Sequence, residues 1–214
     1  MRNYGSNATI PHLPFMSTVT KERIIFDLRC LGVEPGDTIL IRASLSEVGH
    51  LLSGANAFID ALLEIVGTEG TIVSLAFTGG VFLRKPKKEH AFNLSKKSYA
   101  GALPSAMLER RDAHRSRHPM CSFVAIGKNA KGITGNHDES SPAYEPVRKI
   151  AELGGKCILV GCVKSSPCFT TAHLAEADLG YLKRFPIMPW LSSVYYETVD
   201  GDVKLFRRRD PGFQ

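Results

Sequence analysis

The sequence predicts an α/β fold built in layers, with a sheet that helices cover on both faces. Strand-like and helix-like segments alternate along the chain, and the strand-like segments are apolar throughout instead of alternating with polar residues. Strands of that kind are typical of sheets buried on both sides, and the alternating order is typical of layered α/β domains. At 214 residues the chain can bury a sizeable core, so residues 1–214 are predicted to form a single domain.

Four elements are predicted in the first part of the chain. Thr20 is the expected N-cap of the first helix, and Gly32 is its stop signal. The first strand is expected to leave its sheet at Arg42 or Ala43. The predicted elements are helices at 20–31 and 56–66 and strands at 38–45 and 71–78.

A long basic loop at 79–99 precedes the later elements, and loops of this length in compact domains are usually functional or mobile. Asp200-Gly201 lies between two strand-like stretches, so a C-terminal β-hairpin with a two-residue turn is predicted. The other predicted elements are helices at 102–110 and 147–153 and strands at 122–127 and 156–161.

The composition is that of a globular protein with a basic surface, with 43% apolar residues, 22% charged residues and a net charge of +6. This charge indicates either an anionic partner or a merely solvated surface. Nucleic acid is not the expected partner, because no zinc-finger spacing or RNP-type motif accompanies the basic runs. No apolar run is long enough to span a membrane, and residues 1–9 lack the order of a signal peptide, so we expect a cytoplasmic protein without membrane contact. The five cysteines show no paired spacing, and neither a full disulfide framework nor a metal site is expected.

A polar loop at 44–55, with glycines at 49 and 54, joins a predicted strand to a predicted helix. Such a loop can aim backbone N–H groups and a helix N-terminus at an anion. It matches neither the GxGxxG fingerprint nor the Walker P-loop, so a plain turn is the competing interpretation.

A second polar stretch is RSRHPMCSF at 115–123. Its backbone is expected to be extended around Pro119 and to enter a strand at Ser122. A solvated basic turn and a binding site for a polyanion explain it equally well. The side chains that would hold the polyanion are Arg115, Arg117, His118 and Ser122.

A third stretch, FTTAHLAEADLGY at 169–181, reads as a helix that follows a buried strand and a loop. Ligands of open α/β sheets usually bind at the carboxyl ends of the strands. With Thr170 or Thr171 as N-cap, His173 lies in the first turn, where the helix dipole disfavours the imidazolium and so favours the neutral ring that a general base needs. Glu176 lies on the same face and is placed to orient the imidazole, hold a substrate ammonium, or only favour the dipole. An exposed helix with a chance His–Glu pair is the competing interpretation.

These stretches resemble a known family, the aminoglycoside 3-N-acetyltransferases, which differ in fold from the GNAT acetyltransferases. The matching segments cover about residues 20 to 181 and are LGVEPGDTILIRASLSEVG, GANAFIDALLEIVGTEGTIV, AGALPSAMLERRDAHRSRHPMCSF, SPAYEPVRKIAELGGKCILVG and TTAHLAEADLGY. The resemblance implies a three-layer α/β/α fold with a central mixed, largely parallel sheet. It also implies acetyl-CoA as cosubstrate and transfer of its acetyl group to a primary amine of an amino sugar.

The same resemblance implies a role for individual residues. His173 would be the catalytic base, Glu176 would assist it, and Thr170 would hydrogen-bond near the thioester carbonyl. The amine would attack the thioester directly, so no cysteine nucleophile is needed. The implied lining of the coenzyme A site consists of Ser44, Leu45, Ser46, Arg117, His118, Pro119, Ser122 and Phe123.

The chain departs from the family pattern in several places. It reads Arg42-Ala43-Ser44-Leu45 where the family usually reads His-Ser-Ser-Leu, and Phe169 stands where an asparagine is expected. The sequence ends at Gln214, short of the C-terminal segment that the family normally adds, which indicates either a truncated chain or a shorter branch. A catalytically inactive CoA-binding or interaction protein of the same fold is therefore the alternative interpretation. The oligomeric state is open, with a homodimer as one option.

The charge balance bears on the identity of the small-molecule amine acceptor. Aminoglycosides are polycations, and sites for them are usually lined with carboxylates, whereas this chain is basic. The acceptor is therefore expected to be either an aminoglycoside antibiotic, as the resemblance implies, or an anionic or neutral amino sugar such as a nucleotide-linked one.

Overall fold

The structure is a computed structural model that describes residues 18–79, 81–82, 85–164, 170–180 and 192–207. The predicted features of residues 1–9, Phe169 and Gln214 lie outside these residues. A 3₁₀ turn spans Lys88–His90. The strands and helices are, in chain order, β1 (Thr18–Val19), α1 (Lys21–Cys30), β2 (Thr38–Ala43), α2 (Leu45–Val48), β3 (His50–Leu51), α3 (Gly54–Val66), β4 (Thr71–Leu75), β5 (Val81–Phe82), α4 (Ala102–Leu108), β6 (His114–Arg115), β7 (Phe123–Gly127), α5 (Ala130–Thr134), α6 (Glu145–Glu152), β8 (Lys156–Val160), α7 (Thr170–Asp178), β9 (Ser192–Glu197) and β10 (Val203–Arg207).

The central sheet has five strands in the order β6-β7-β4-β2-β8. Strand β2 pairs in parallel with β4 on one side and with β8 on the other. Strand β7 runs antiparallel to both β4 and β6, so four of these five strands share one direction. The predicted mixed, largely parallel sheet is confirmed.

Each face of this sheet carries its own apolar core, which confirms the three layers. Successive side chains of a strand point to opposite faces. Accordingly, Ile39 and Ile41 of β2 join a core with α1, α3 and α4, whereas Leu40 joins a second core with α5 and α6. Leu174 of α7 packs against that second core, so α7 lies on the same side of the sheet as α6.

The helix and strand ends follow from local chemistry. The Thr20 hydroxyl accepts a hydrogen bond from the backbone N–H of Arg23 at 3.3 Å, which confirms the predicted N-cap of α1. Strand β2 ends at Ala43, within the predicted limits. The predicted loop at 44–55 instead contains α2 and β3, and α5 was not predicted, because elements this short lack a recognisable period.

The predicted C-terminal hairpin is confirmed, but its turn is longer than predicted. Strands β9 and β10 pair antiparallel with Glu197 opposite Val203, and β5 pairs with the other edge of β9. The connection closes through Thr198, whose N–H donates to the Asp202 carbonyl at 2.8 Å and whose hydroxyl accepts from the Asp202 N–H at 3.1 Å. Gly201, at φ +84°, takes the left-handed position that closes such a longer connection.

Within the described part of the chain, no helix is both long and apolar enough to cross a bilayer.

Candidate active site

A cavity of about 560 Å³ opens at the carboxyl edge of the central sheet. It lies there because β2, β4 and β8 are parallel, so their carboxyl ends meet at one edge. Its wall comes from the ends of β2 and β4, the start of α4, Cys162 just beyond β8, and Thr170 at the start of α7. Elements distant in sequence therefore converge on one site.

The predicted residues Ser44, Leu45 and Ser46 all line this cavity. The Ser44 N–H donates to the Val160 carbonyl at 2.9 Å, and the Ser44 and Ser46 hydroxyls lie 3.2 Å apart. We call the segment at 44–46 the Ser44 loop. Its close approach to the end of β8 depends on Gly161, because a Cβ at Gly161 would lie 2.6 Å from the Ser44 carbonyl oxygen. Gly161 thus fixes the position of the predicted CoA-binding loop.

Helix α7 carries the predicted catalytic residues. Thr170 is its first residue, is buried and lines the cavity, and His173 follows one turn later. The Nδ1 atom of His173 lies 3.0 Å from a carboxylate oxygen of Glu176. A carboxylate only accepts hydrogen bonds, so Nδ1 carries the proton of this contact, and Nε2 is the ring nitrogen that lies outside it. This arrangement suits a general base oriented by a carboxylate.

Three contacts dock α7 onto α6 and the segment before it. The ring of His173 stacks on Tyr144, with 4.9 Å between ring centroids and 25° between the planes. Arg148 forms an ion pair with Asp178 at the other end of α7. Leu174 adds the apolar contact with the core beneath. Tyr144 could not be predicted from the sequence, because a stacking partner 29 positions away in the chain has no recognisable spacing.

The predicted residues at 117–123 are not part of the cavity wall. Pro119, Ser122 and Phe123 are buried in the protein, and Arg117 donates from Nη2 to the Glu197 carbonyl at 3.2 Å. His118 is only 1% exposed, and its Nδ1 accepts the backbone N–H of Cys121 at 3.0 Å. The structure therefore brings Ser44, Leu45, Ser46 and Thr170 together at the cavity, whereas the five predicted residues at 117–123 are not among those that line it. Their part in CoA binding stays a prediction.

Arg115, which the sequence offered as a polyanion ligand, is used inside the protein. Its guanidinium donates to the carbonyl oxygens of Leu94 and Ala76 at 2.9 and 3.3 Å, and to that of Lys96. Its Nε donates to the Ser122 hydroxyl at 3.1 Å. Burial lowers the pKa of this guanidinium to about 10. Arg115 thus ties the basic loop to the end of β4, next to the cavity wall.

His137 is a buried histidine that the sequence analysis did not single out. Its Nε2 lies 3.1 Å from the Pro142 carbonyl, an acceptor, so Nε2 carries the proton. Its Nδ1 lies 2.9 Å from the Ser116 hydroxyl, which therefore donates to it. The ring also stacks on His118 at 4.9 Å. Burial lowers the pKa of His137 to about 4, so the ring is neutral near pH 7.

The lowered pKa of His137 predicts that the folded protein loses stability in mild acid. Between pH 6.5 and pH 4 the unfolded chain binds a proton at His137 and the folded chain does not, so the free energy of unfolding falls as the pH falls. From pH 7 to pH 5 we expect His137 to account for a loss of about 2 kcal/mol. Urea unfolding followed by circular dichroism at both pH values measures it.

The matched control is His137→Gln, which keeps one donor and one acceptor but does not titrate. It should lose about 2 kcal/mol less than the wild type between the two pH values. An equal loss in both proteins would contradict the assignment to His137.

Comparisons with known proteins identify the family to which the chain is similar. The family model described as aminoglycoside 3-N-acetyltransferase matches residues 40–200. Aminoglycoside N(3)-acetyltransferase VIII of Streptomyces fradiae is 30% identical over 178 residues, which cover 74% of this chain and 61% of the relative. Aminoglycoside N(3)-acetyltransferase III of Serratia marcescens is 35% identical over 178 residues, covering 74% and 64%. The chain thus spans less than two thirds of the length of these relatives.

Solved structures agree with the sequence comparisons. Aminoglycoside acetyltransferase AAC(3)-IIb superposes with a TM-score of 0.65 at 30% identity, over 89% of this chain and 73% of that one. AAC-IIIb, in a binary complex with CoASH, superposes with a TM-score of 0.66 at 27% identity, over 90% and 76%. Both the sequence and the fold lead to one conclusion: this chain belongs to the aminoglycoside 3-N-acetyltransferase family.

Proposed function

We propose that the protein is an acetyl-CoA-dependent N-acetyltransferase that acts on a primary amine of an amino sugar. The observation that carries the proposal is the His173–Glu176 pair, with 3.0 Å between Nδ1 and the carboxylate, on the helix whose first residue lines the cavity. The membership of the aminoglycoside 3-N-acetyltransferase family supports it. The acceptor is an aminoglycoside or an anionic amino sugar such as a nucleotide-linked one.

The first step of the proposed reaction is the removal of a proton from the acceptor by a general base. An alkylammonium must lose a proton before its nitrogen can attack the thioester carbonyl, and Nε2 of His173 takes that proton. Glu176 stabilises the imidazolium that results. The C–N bond forms as the C–S bond breaks, and the imidazolium returns its proton to the departing CoA thiolate. The attacking nitrogen loses its second proton to the regenerated His173, which passes it to solvent. The reaction of an ammonium thus releases one proton overall, and no covalent acetyl-enzyme forms.

Negative charge develops on the carbonyl oxygen during this attack and needs hydrogen-bond donors. The hydroxyl of Thr170 is a candidate, because Thr170 lines the cavity and lies one helical turn before His173. Backbone N–H groups of the neighbouring loops are further candidates. Thr170 is thereby proposed as a catalytic residue alongside His173 and Glu176.

We assign the CoA-binding role first to Ser44, Leu45 and Ser46, which line the cavity. A volume of about 560 Å³ is in the range of small-molecule sites. The segment at 117–123 supports the wall from behind, since the Ser122 hydroxyl donates to the Ala76 carbonyl at 2.8 Å. The CoASH-bound relative makes coenzyme A the first ligand to test.

The test measures CoA binding and amine-dependent thiol release side by side. Acetyl-CoA is incubated with the protein and with an aminoglycoside, an amino-sugar phosphate or a nucleotide-linked amino sugar, and released thiol is titrated. N-acetylated forms of the same acceptors serve as controls, because they lack the free amine. Thiol release only with free amines supports the proposal. CoA binding without thiol release for any amine would favour an inactive CoA-binding protein and overturn it.

A further inference from the structure

The ring of Tyr144 covers one face of the His173 imidazole. The two ring centroids lie 4.9 Å apart and the planes are 25° from parallel, so the contact is a stack rather than an edge-to-face contact. The His173 side chain is 15% exposed and Tyr144 is 5% exposed. The stack is therefore largely shielded from solvent.

The contact with Glu176 does not by itself fix the orientation of the His173 ring. The Glu176 carboxylate lies 3.0 Å from Nδ1, but the Glu176 side chain is 42% exposed. Water competes for an exposed carboxylate, so pairs of this kind hold their geometry weakly. The imidazole can also turn about its Cβ–Cγ bond, because terminal torsions next to a planar ring have broad minima. A second contact is therefore required if Nε2 is to keep one direction.

Tyr144 supplies a rigid surface for this second contact. It comes directly before α6, and its carbonyl accepts the N–H of Val147 at 2.9 Å in the first turn of that helix. Two residues earlier, the Pro142 carbonyl accepts from Nε2 of the buried His137 at 3.1 Å. The backbone is thus held by hydrogen bonds on both sides of Tyr144, and its ring packs in the core with α5 and α6. In contrast, among residues 170–178 of α7, only Thr170 is buried.

We propose that Tyr144 is a positioning residue for the base of the proposed reaction. Its flat ring blocks rotation of the imidazole about Cβ–Cγ, so that Nδ1 stays on Glu176 and Nε2 keeps one direction. The inference rests on the proposed function, which makes His173 the base. The aromatic face carries the effect, and the phenol hydroxyl is not required. A general base acts efficiently only when its lone pair is held within reach of the proton that it takes, so a freely turning ring would lower the rate.

Variants at this position separate the ring face from the bulk of the side chain. Tyr144→Phe keeps the face and should retain the wild-type kcat. Tyr144→Leu and Tyr144→Met keep apolar volume but lose the face, so kcat should fall about 10–100-fold while KM for acetyl-CoA stays unchanged. The matched control is Val147→Ala, which removes apolar volume from the same core and leaves the stack in place. It should lose stability in urea unfolding without losing kcat.

A second measurement reports on the ring orientation without depending on turnover. Long-range proton–nitrogen NMR correlations show which ring nitrogen of a neutral histidine carries the proton. The signals that disappear in His173→Ala belong to His173. We expect one tautomer, with the proton on Nδ1, in the wild type and in Tyr144→Phe. Tyr144→Leu and Tyr144→Met should show a mixture of both tautomers.

The possible results separate this inference from the proposed function. A single wild-type tautomer or a wild-type kcat in Tyr144→Leu and Tyr144→Met would overturn the role of Tyr144. An equal loss of kcat in Tyr144→Phe or in Val147→Ala would overturn it as well. If the wild type releases no thiol with any amine, the transferase is refuted, and the tautomers alone decide whether Tyr144 fixes the ring. If Tyr144→Leu does not fold, Tyr144→Met decides the matter, because the flexible methionine side chain is well tolerated in cores.

Discussion

Replacing His173 by alanine is expected to lower the rate of acetyl transfer by about 10²–10⁴-fold, the usual contribution of a general base. The variant loses the Nε2 lone pair that would take the proton of the acceptor ammonium. CoA binding should persist, because Ser44, Leu45 and Ser46 are untouched. Thiol release at saturating acetyl-CoA measures the rate, and calorimetry measures CoA binding.

Two further variants make this result specific. His50→Ala removes an exposed histidine outside the cavity wall and should keep the wild-type rate. Glu176→Gln keeps an acceptor for the Nδ1 proton but not the negative charge that stabilises the imidazolium, so its rate should fall less than that of His173→Ala. Full activity of His173→Ala, with CoA bound normally, would show that another group is the base.

Gly161→Ala is expected to destabilise the fold and weaken CoA binding at the same time. Gly161 has φ +69°, and a Cβ there would lie 2.6 Å from the Ser44 carbonyl oxygen and 3.0 Å from Cβ of Glu47. The left-handed conformation alone costs a residue other than glycine about 1–2 kcal/mol. The crowding against backbone should add about 1–3 kcal/mol and displace the Ser44 loop. Urea unfolding and CoA calorimetry measure the two effects.

Gly154→Ala is a matched control for this prediction. Gly154 has nearly the same φ, +68°, but a Cβ there would meet nothing within 4 Å. Gly154→Ala should therefore lose about 1–2 kcal/mol of stability and keep its affinity for CoA, whereas Gly161→Ala should bind CoA about tenfold more weakly, equivalent to about 1.4 kcal/mol. Equal destabilisation of both variants with unchanged CoA binding would show that the Ser44 loop does not depend on Gly161.

Features governed by local periodicity could be predicted from the sequence. The N-cap Thr20, the end of β2 at Ala43 and the His173–Glu176 contact all depend on residues a few positions apart. Such spacings are visible in a single chain. The β9–β10 hairpin could also be predicted from local spacing. Its longer turn, in which the Thr198 hydroxyl accepts from the Asp202 N–H, could not be predicted from Asp200-Gly201.

Features that depend on distant contacts could not be predicted. Arg115 and His118 stood in a basic segment that suited a polyanion, yet Arg115 donates to Ala76 and Leu94, and His118 stacks on His137. A buried polar group needs partners, and the tertiary fold decides which it finds. The family resemblance assigned His118 to the lining of the coenzyme A site but could not tell a wall residue from one outside the wall.

His173 and Glu176 lie within a single turn of α7, so the distance between them and their position relative to the cavity are set by different parts of the structure. The spacing within the pair is set by the helix itself, so it persists wherever the helix rests. The position of the pair relative to the cavity is set by what lies under the helix, namely Tyr144 and the Arg148–Asp178 ion pair. Changes in that support would shift the pair as a unit relative to the cavity. Divergence in the family could therefore adapt the position of the reacting amine while the proton-transfer machinery stays intact.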